Sequence, residues 1–471
     1  MTADAPAPAP RADNAAAPPL TPKRRKAMDV LRELGRPKVA VMLLLGVSSG
    51  LPFMLIGNTL GFWLAESHIK LAAIGFLSWA GLAYLLKFVW GALADRAGLP
   101  VLGSLGRRRG WMVLTQVVVM AGLVGMALSG PTRLDLLAEF AVLAAFGAAM
   151  QDTVIDAWRI EIADDEDELG LLTAAFSLGF RIAMFATEAL ILLVATWIGW
   201  SLSYLIYGLA MAIGVAAALL AKEPARTVEH PEAGQGAGPV AAAKGAIDAV
   251  VGPFVAFFRA HGFAAALLML LFITAYHLSD YLRGPMVNPF YTALHIDKPT
   301  IAYVRGAIGV PFTIAGIALG GASSVRLGAR LTLLIGALIQ PLGIAAFALL
   351  AAHGGDYTLV QMGAFKLSAF AAIMAFDAFA IGYSGVALVG YMSSLTSVGY
   401  TATQYALLTS AMAGAGKSLK GFSGTMVEGL QKTGIGLVPA FGEFYLLAAA
   451  LGLPAVILLL LMWCLPANRP A

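Results

Sequence analysis

KVAVMLLLGVSSGLPFMLIGNTLGFWL, residues 38–64, decides the fold. After Lys38 no charged residue occurs before Glu66. About 20 apolar residues are enough for a helix to cross the hydrocarbon core of a bilayer. Comparable stretches follow at 71–94, 110–129, 134–161, 170–195 and 200–221. After a polar linker come 262–291, 300–321, 330–352, 360–396, 401–427 and 443–464. The pattern is six spans plus six, in an all-α polytopic membrane protein. Barrel strands read as short alternating segments, and this chain has none. The long tenth segment reads as one tilted helix or a helix with an extra turn, and the glycines from Gly382 to Gly390 suggest a bend.

Composition agrees. Of 471 residues 59% are hydrophobic and 12% charged, with a mean hydropathy of +0.81. Soluble domains carry about 25% charge, so a disordered chain, a nucleic-acid partner and an ordinary soluble enzyme are all excluded. The single cysteine, Cys464, makes neither an internal disulfide nor a multi-cysteine metal site.

The flanks set the orientation. Residues 1–37 are Ala/Pro-rich, then basic (Lys23-Arg24-Arg25-Lys26), and read as a disordered tail with no cleavage site. With the N-terminus inside, 19 of the 31 Lys and Arg fall in cytoplasmic segments and four outside (Lys70, Arg133, Lys298, Lys432). That bias predicts both termini in the cytoplasm. The expected organisation is the tail 1–37, a bundle over 38–221, a linker over 222–261, a second bundle over 262–465 and a short tail over 466–471. Within the linker Ile247, Val250, Val251, Phe254, Phe257 and Phe258 recur at helical spacing, which reads as an interfacial helix.

The halves echo each other. Leu171-Leu172-Thr173 precedes Arg181 as Leu407-Leu408-Thr409 precedes Lys417, at an offset of 236 residues. The turn Leu93-Ala94-Asp95-Arg96-Ala97-Gly98 has a counterpart in Ser323-Ser324-Val325-Arg326-Leu327-Gly328, at an offset of 230. Two repeated bundles suggest rocking about a midplane cavity, the geometry of alternating access. Gly91-x-x-x-Asp95-Arg96, with Arg107-Arg108-Arg109 beyond it, resembles the cytoplasmic loop motif of the major facilitator superfamily. Gly91 would let helices approach, Asp95 would lock against a helix end, and Arg96 would anchor at the headgroups, together forming a gating loop.

A charge near the bilayer centre costs roughly 2.5–3.5 kcal/mol on insertion scales, so such residues mark a polar cavity or buried pairs. Gln151, Asp152, Asp156 and Arg159 lie in the fourth span, and the last three share one helical face. Asp152 and Asp156, one turn apart with Arg159 beyond, are candidates for carrying a proton; the alternative is a salt bridge that staples helices. Arg181 and Lys417 are expected to face each other across the cavity and to meet an anionic substrate, with Glu188 on the face of Arg181 as a partner. Lys87 either joins them or snorkels to the interface. His277, Asp280 and Arg283 recur by threes, and Asp280 is the candidate there for proton or substrate contact. Lys366, Asp377, Lys420 and Glu428 suit packing or the interface equally well.

Gly416-Lys417-Ser418 ends like a P-loop, but the first glycine would fall at Ala411 and no strand precedes it, so no ATP site is expected. His68, His230, His261, His295 and His353 are scattered singly, unlike the His/Asp-rich loops of membrane-embedded enzymes. Trp197 and Trp200 suit the outer interface, and Trp111 and Trp463 the inner. Trp63, Trp79 and Trp158 read as packing more readily than as sugar platforms.

SGLP at 49–52, YLLKFVW at 84–90, GRRRGW at 106–111, QDTVIDAWR at 151–159, GFRIAM at 179–184 and ATQYALL at 402–408 together resemble the AmpG-type muropeptide permeases. These form a branch of the major facilitator superfamily. The resemblance implies a major facilitator fold of 12 helices in two pseudo-symmetric bundles. It also implies a proton-driven importer of anhydromuropeptides, glycopeptides on an N-acetylglucosamine–anhydro-N-acetylmuramic acid core, at the inner membrane. Lys87, Asp152, Asp156, Arg181, Asp280 and Gln404 fall on polar positions of the family pattern, and Lys417 replaces what is often an arginine. The tail, the long tenth span and Asp377-Ala378 in place of a Glu-Asn pair depart from it. Related permeases import siderophores, the alternative substrate class. The proton-coupling expectation rests on Asp152, Asp156 and Asp280. Substrate contact is expected at Lys87, Gln151, Arg159, Arg181, Gln404 and Lys417, with no cofactor beyond the proton, membrane lipid around the chain and a monomeric state.

Overall fold

A computed structural model describes residues 37–86, 99–100, 102–164, 166–224, 255, 257–259, 261–355, 357–362, 365–395, 408–409 and 413–464. Among them ten helices are long and apolar enough to cross a membrane. The first half holds Pro37–Glu66, Arg107–Ser129, Pro131–Ile162, Leu171–Ile198 and Trp200–Leu220. The second holds Phe263–Ala293, Lys298–Ser324, Gly328–His353, Ala369–Met392 and Leu437–Trp463. The expected second and eleventh spans are helical where described, at 71–86 and 413–431. Counted with these two, the helices are spans 1 to 12 in chain order.

Without water to drive helices together, spans pack where small residues let backbones meet. Gly46 of span 1 and Gly179 of span 5 leave room for each other's neighbours: a Cβ on Gly46 would overlap the Phe176 carbonyl, and one on Gly179 the Leu43 carbonyl. Gly316 of span 8 and Gly382 of span 10 repeat the device against Phe379 and Thr313. Span 10 is helical without a break from Ala369 to Ser394, across Gly382 to Gly390, and Gly382 is a packing notch. The apparent length of that span has another source. Thr358–Met362 and Phe365–Ser368 form an antiparallel pair of strands, β1 and β2, before the helix begins.

Span 1 breaks at Gly57. Pro52 lies inside its first part, Pro37–Ile56, and lacks the N–H that an unbroken helix requires. The chain re-enters the helix as Asn58–Glu66. Among the described residues, every substantial packing between the two bundles lies at mid-span or at the end remote from Pro37. Asn58–Glu66 meets Val287–Ala293 of span 7, Leu71–Leu77 of span 2 meets Ser423–Gln431 of span 11, and Ile191–Ile198 of span 5 meets Lys298–Tyr303 of span 8. At this far end a Cβ on Gly424 would overlap the Leu71 carbonyl, and one on Gly75 would lie 2.6 Å from the Gly421 carbonyl oxygen. Lys298 pairs with Glu66 at 2.8 Å, and the indole of Trp200 donates to the same carboxylate. The far end is closed.

Candidate functional site

Beneath that closure lies a cavity of about 260 Å3 between spans 1, 2, 7 and 11. Asn58, Tyr84, Asp280, Tyr281, Lys417 and Lys420 are among its walls. The break at Gly57 turns Asn58 towards it, and helical spacing brings Lys417 and Lys420 to one face of span 11. Lys417 holds its ammonium 5.2 Å from the centre of the Tyr84 ring.

Asp280 is anchored from behind. The buried guanidinium of Arg283 (6% exposed) is 2.8 Å from Asp280 Oδ1 and 3.0 Å from Asp377 Oδ2. Asp377 is 8% exposed and Asp280 34%. Arg283 thus ties span 7 to span 10 and leaves one face of Asp280 to the cavity. Its guanidinium also lies 5.6 Å from the centre of the Phe347 ring. The spacing of Asp280 and Arg283 predicts the near half of this triad. Asp377, which the sequence leaves between packing and the interface, is the far half, a buried packing partner.

The other predicted residues divide. Asp152 accepts a hydrogen bond from Ser49 Oγ, which ties span 4 to span 1. Asp156 and Arg159 pair at 3.0 Å, one turn apart as their spacing predicts, and the arginine sits 5.5 Å from the Phe176 ring centre. Gln151 is fully buried and donates to Ser48 Oγ at 3.2 Å, so the structure places it inside the first bundle rather than on the cavity wall. Arg181 is exposed, is not among the residues lining the cavity that holds Lys417, and has no ion pair with Glu188. The backbone carbonyl of Glu188 instead accepts from Arg305 Nη1 at 3.1 Å. Lys87, Gly91, Asp95, Arg96 and Gln404 lie outside the described residues.

Arg305 belongs to a polar bridge that sequence reasoning does not single out. It donates to Asn288 Oδ1 of span 7 as well as to Glu188 O of span 5, and Asn288 Nδ2 donates to the Asn58 carbonyl of span 1. Both arginine and glutamate sit in π-helical turns, Val304–Gly309 and Ala186–Leu190. Such turns are rare and concentrate at functional sites. His277 is half-buried, with its Nδ1 3.1 Å from Gln340 Nε2. A Cβ on Gly416 would strike the Tyr281 ring, so this glycine serves helix contact. Trp63 and Trp158 are buried, the latter donating to the Lys222 carbonyl at 2.8 Å, and Trp79 donates to the Ser418 carbonyl at 2.9 Å. No His/Cys/Asp/Glu group that could hold a metal occurs among the described residues.

A helical bundle in two halves around a charged midplane cavity defines a membrane transporter, and comparison with known proteins agrees. The model of the Major Facilitator Superfamily matches residues 42–419. An anhydromuropeptide permease of Escherichia coli (strain K12) is 33% identical over 91% of this chain and 80% of its own. A putative transporter AmpG 4 of Rickettsia conorii is 29% identical over 89% and 95%. In fold, the nucleoside transporter NupG superposes with a TM-score of 0.63 over 90% of this chain and 98% of its own, at 14% identity. The chain belongs to the major facilitator superfamily and, within it, to the AmpG-type permeases.

Proposed function

We propose that this protein imports anhydromuropeptides into the cytoplasm in symport with protons. The observation that carries the substrate is the 33% identity, spread over 91% of the chain, to a permease of that name. The cavity supports it chemically, because lysines and a carboxylate face a space where an uncharged solute would need neither. The excess of Lys and Arg in alternate loops supports cytoplasmic termini in an inner membrane. In that orientation the closed far end is the outer one.

Asp152, Asp156 and Asp280 remain the proton-coupling candidates. Asp152 accepts from the Ser49 hydroxyl, Asp156 pairs with the Arg159 guanidinium and Asp280 with that of Arg283. Proton binding at such a carboxylate weakens that tie, which is how a proton biases one packing over another. One elementary charge moved through 100 mV is worth about 2.3 kcal/mol. At roughly 150 mV a single proton therefore supports about a 300-fold gradient of a neutral complex. The test is uptake of labelled anhydromuropeptide into energised vesicles. Accumulation should collapse when a protonophore is added. Accumulation that survives the protonophore contradicts proton coupling, and no accumulation at all contradicts the substrate.

A further inference from the structure

Lys420 has no role in the reading above, yet it shares the cavity wall with Lys417. The two are three residues apart on span 11 and so project from the same face. The Lys420 ammonium lies beside Gly81 of span 2, close enough that a Cβ there would stand 3.1 Å from Nζ. Glycine at 81 thus leaves the ammonium its place. Among the described residues Lys420 has neither ion pair nor side-chain hydrogen bond, whereas most other cations of the core are matched: Arg283 by Asp280 and Asp377, Arg159 by Asp156, Lys298 by Glu66. An ammonium held inside the membrane without a carboxylate is costly, and it marks a place where an anion is expected from outside the chain.

Size narrows what that anion belongs to. Ligand pockets for drug-sized molecules hold roughly 300–1,000 Å3, and this cavity holds about 260 Å3. A disaccharide-peptide does not fit entire, so the cavity takes one end of it. Of the two ends, the sugar end offers hydroxyls and the peptide end carboxylates. We infer that Lys417 and Lys420 together form a carboxylate-binding site that receives the peptide end of the substrate at the span 2–span 11 junction. The inference rests on the proposed import of anhydromuropeptides and adds which end leads and which side chains hold it. Two ammonium groups on one face suit a carboxylate's two oxygens, each by a charge-assisted hydrogen bond.

The test compares an anhydromuropeptide with its peptide carboxyls free and the same compound with them amidated. Transport is measured in proteoliposomes and binding on the purified protein. Lys420→Gln should raise KM and Kd for the free acid by about tenfold, the equivalent of one charge-assisted hydrogen bond. It should leave the values for the amide unchanged. Lys420→Arg should restore most of the loss, and Gly81→Ala, by crowding the ammonium, should reproduce part of it for the acid alone. Equal loss for acid and amide in Lys420→Gln would mean that the lysine merely supports the fold, and overturns the site. So does a wild-type protein that binds acid and amide equally. If the wild type transports neither compound but binds the acid in a Lys420-dependent way, the carboxylate site stands and the import reading falls.

Discussion

Replacing Arg283 by methionine, which fills a similar volume without charge, should be among the most damaging single changes in the second bundle. Arg283 provides the hydrogen bond that Asp377 receives, at 3.0 Å, and both side chains are more than nine-tenths buried. Without it Asp377 is left as a carboxylate in a low-dielectric interior. Its cheapest escape is to take up a proton. Holding an ordinary carboxyl protonated at pH 7 costs about 4 kcal/mol, at 1.36 kcal/mol for each of the roughly three units between its usual value and neutrality. That figure falls within the 3–5 kcal/mol typical of breaking a buried pair from one side. Asp280 is a third exposed and can be hydrated, so it adds little.

Two consequences separate this account from simple loss of packing. The first is a coupling: Arg283→Met with Asp377→Asn leaves no stranded charge, so the double variant should be about 2–3 kcal/mol more stable than the sum of the single losses implies. The second is a pH dependence with a fixed sign. The folded single variant binds a proton that its unfolded chain releases above about pH 4, so its stability falls as pH rises, by about 1.4 kcal/mol per unit towards pH 7. Equilibrium unfolding in mixed micelles at pH 5, 6 and 7 measures both. Additive losses, or a deficit that is the same at pH 5 and pH 7, would refute the stranded-carboxylate argument.

Three further outcomes follow from the closed end. Gly424→Ala places a Cβ against the Leu71 carbonyl in the closed state only. A penalty of about 1–3 kcal/mol should raise labelling of a cysteine at Asn58 by an impermeant maleimide from the far side about fivefold or more, in a Cys464→Ser background; unchanged labelling contradicts the contact. Glu66→Gln removes a partly exposed bundle-to-bundle pair worth up to about 1 kcal/mol, so labelling should rise by less, and the exchanged pair Glu66→Lys with Lys298→Glu should bring back part of it, since Trp200 loses its acceptor. Asp297 caps the start of span 8 by accepting from Thr300 N at 3.0 Å, and hydrogen bonding by Thr300 holds its carboxyl below the ordinary range. Asp297→Ala should cost about 1 kcal/mol of thermal stability at neutral pH. Because a lowered carboxyl contributes only while ionised, the difference from wild type should vanish as pH falls below about 4.

Hydropathy sums over some twenty residues, which is why the spans could be read from the sequence even where individual boundaries could not. Single residues were less secure. Residues 358–362 and 365–368 carry enough apolar side chains to extend a helix by count, yet they pair as β1 and β2, and composition cannot tell the two apart at that length. Helical spacing held where the helix was regular: Asp156 meets Arg159, and Asp280 meets Arg283. Arg181 and Glu188, which the same period sets on one face, form no ion pair, and Glu188 lies in the π-turn Ala186–Leu190. Asp377, Lys420 and Arg305 were each visible as an isolated charge in an apolar run. What the sequence could not reveal was the partner, since Arg283 and Asp377, or Arg305 and Asn288, meet only once the helices are assembled.

The distribution of these contacts bears on how the closed end opens. The strong cluster, Asp280–Arg283–Asp377, lies wholly within the second bundle and can move as one piece with spans 7 and 10. Among the described residues, what joins the bundles is weaker and divided: Glu66 to Lys298, Asn288 to the Asn58 carbonyl, Arg305 to the Glu188 carbonyl, Ala72 N to Glu428 Oε1 at 2.9 Å, and Trp79 to the Ser418 carbonyl. At about 0.5–1.5 kcal/mol apiece, five such contacts sum to several kcal/mol, a gap that a bound substrate and proton can offset. At the same junction of spans 2 and 11 the glycine contacts add dispersion, as do the edge-on contacts of Phe422 with Phe76 and Trp79 at 5.9 and 5.4 Å. A disulfide between cysteines at Ala72 and Glu428, in a Cys464→Ser background, should therefore arrest uptake when oxidised and release it when reduced. Undiminished uptake by the oxidised, fully cross-linked protein would mean that spans 2 and 11 stay together throughout the cycle, and that the far end is not the gate.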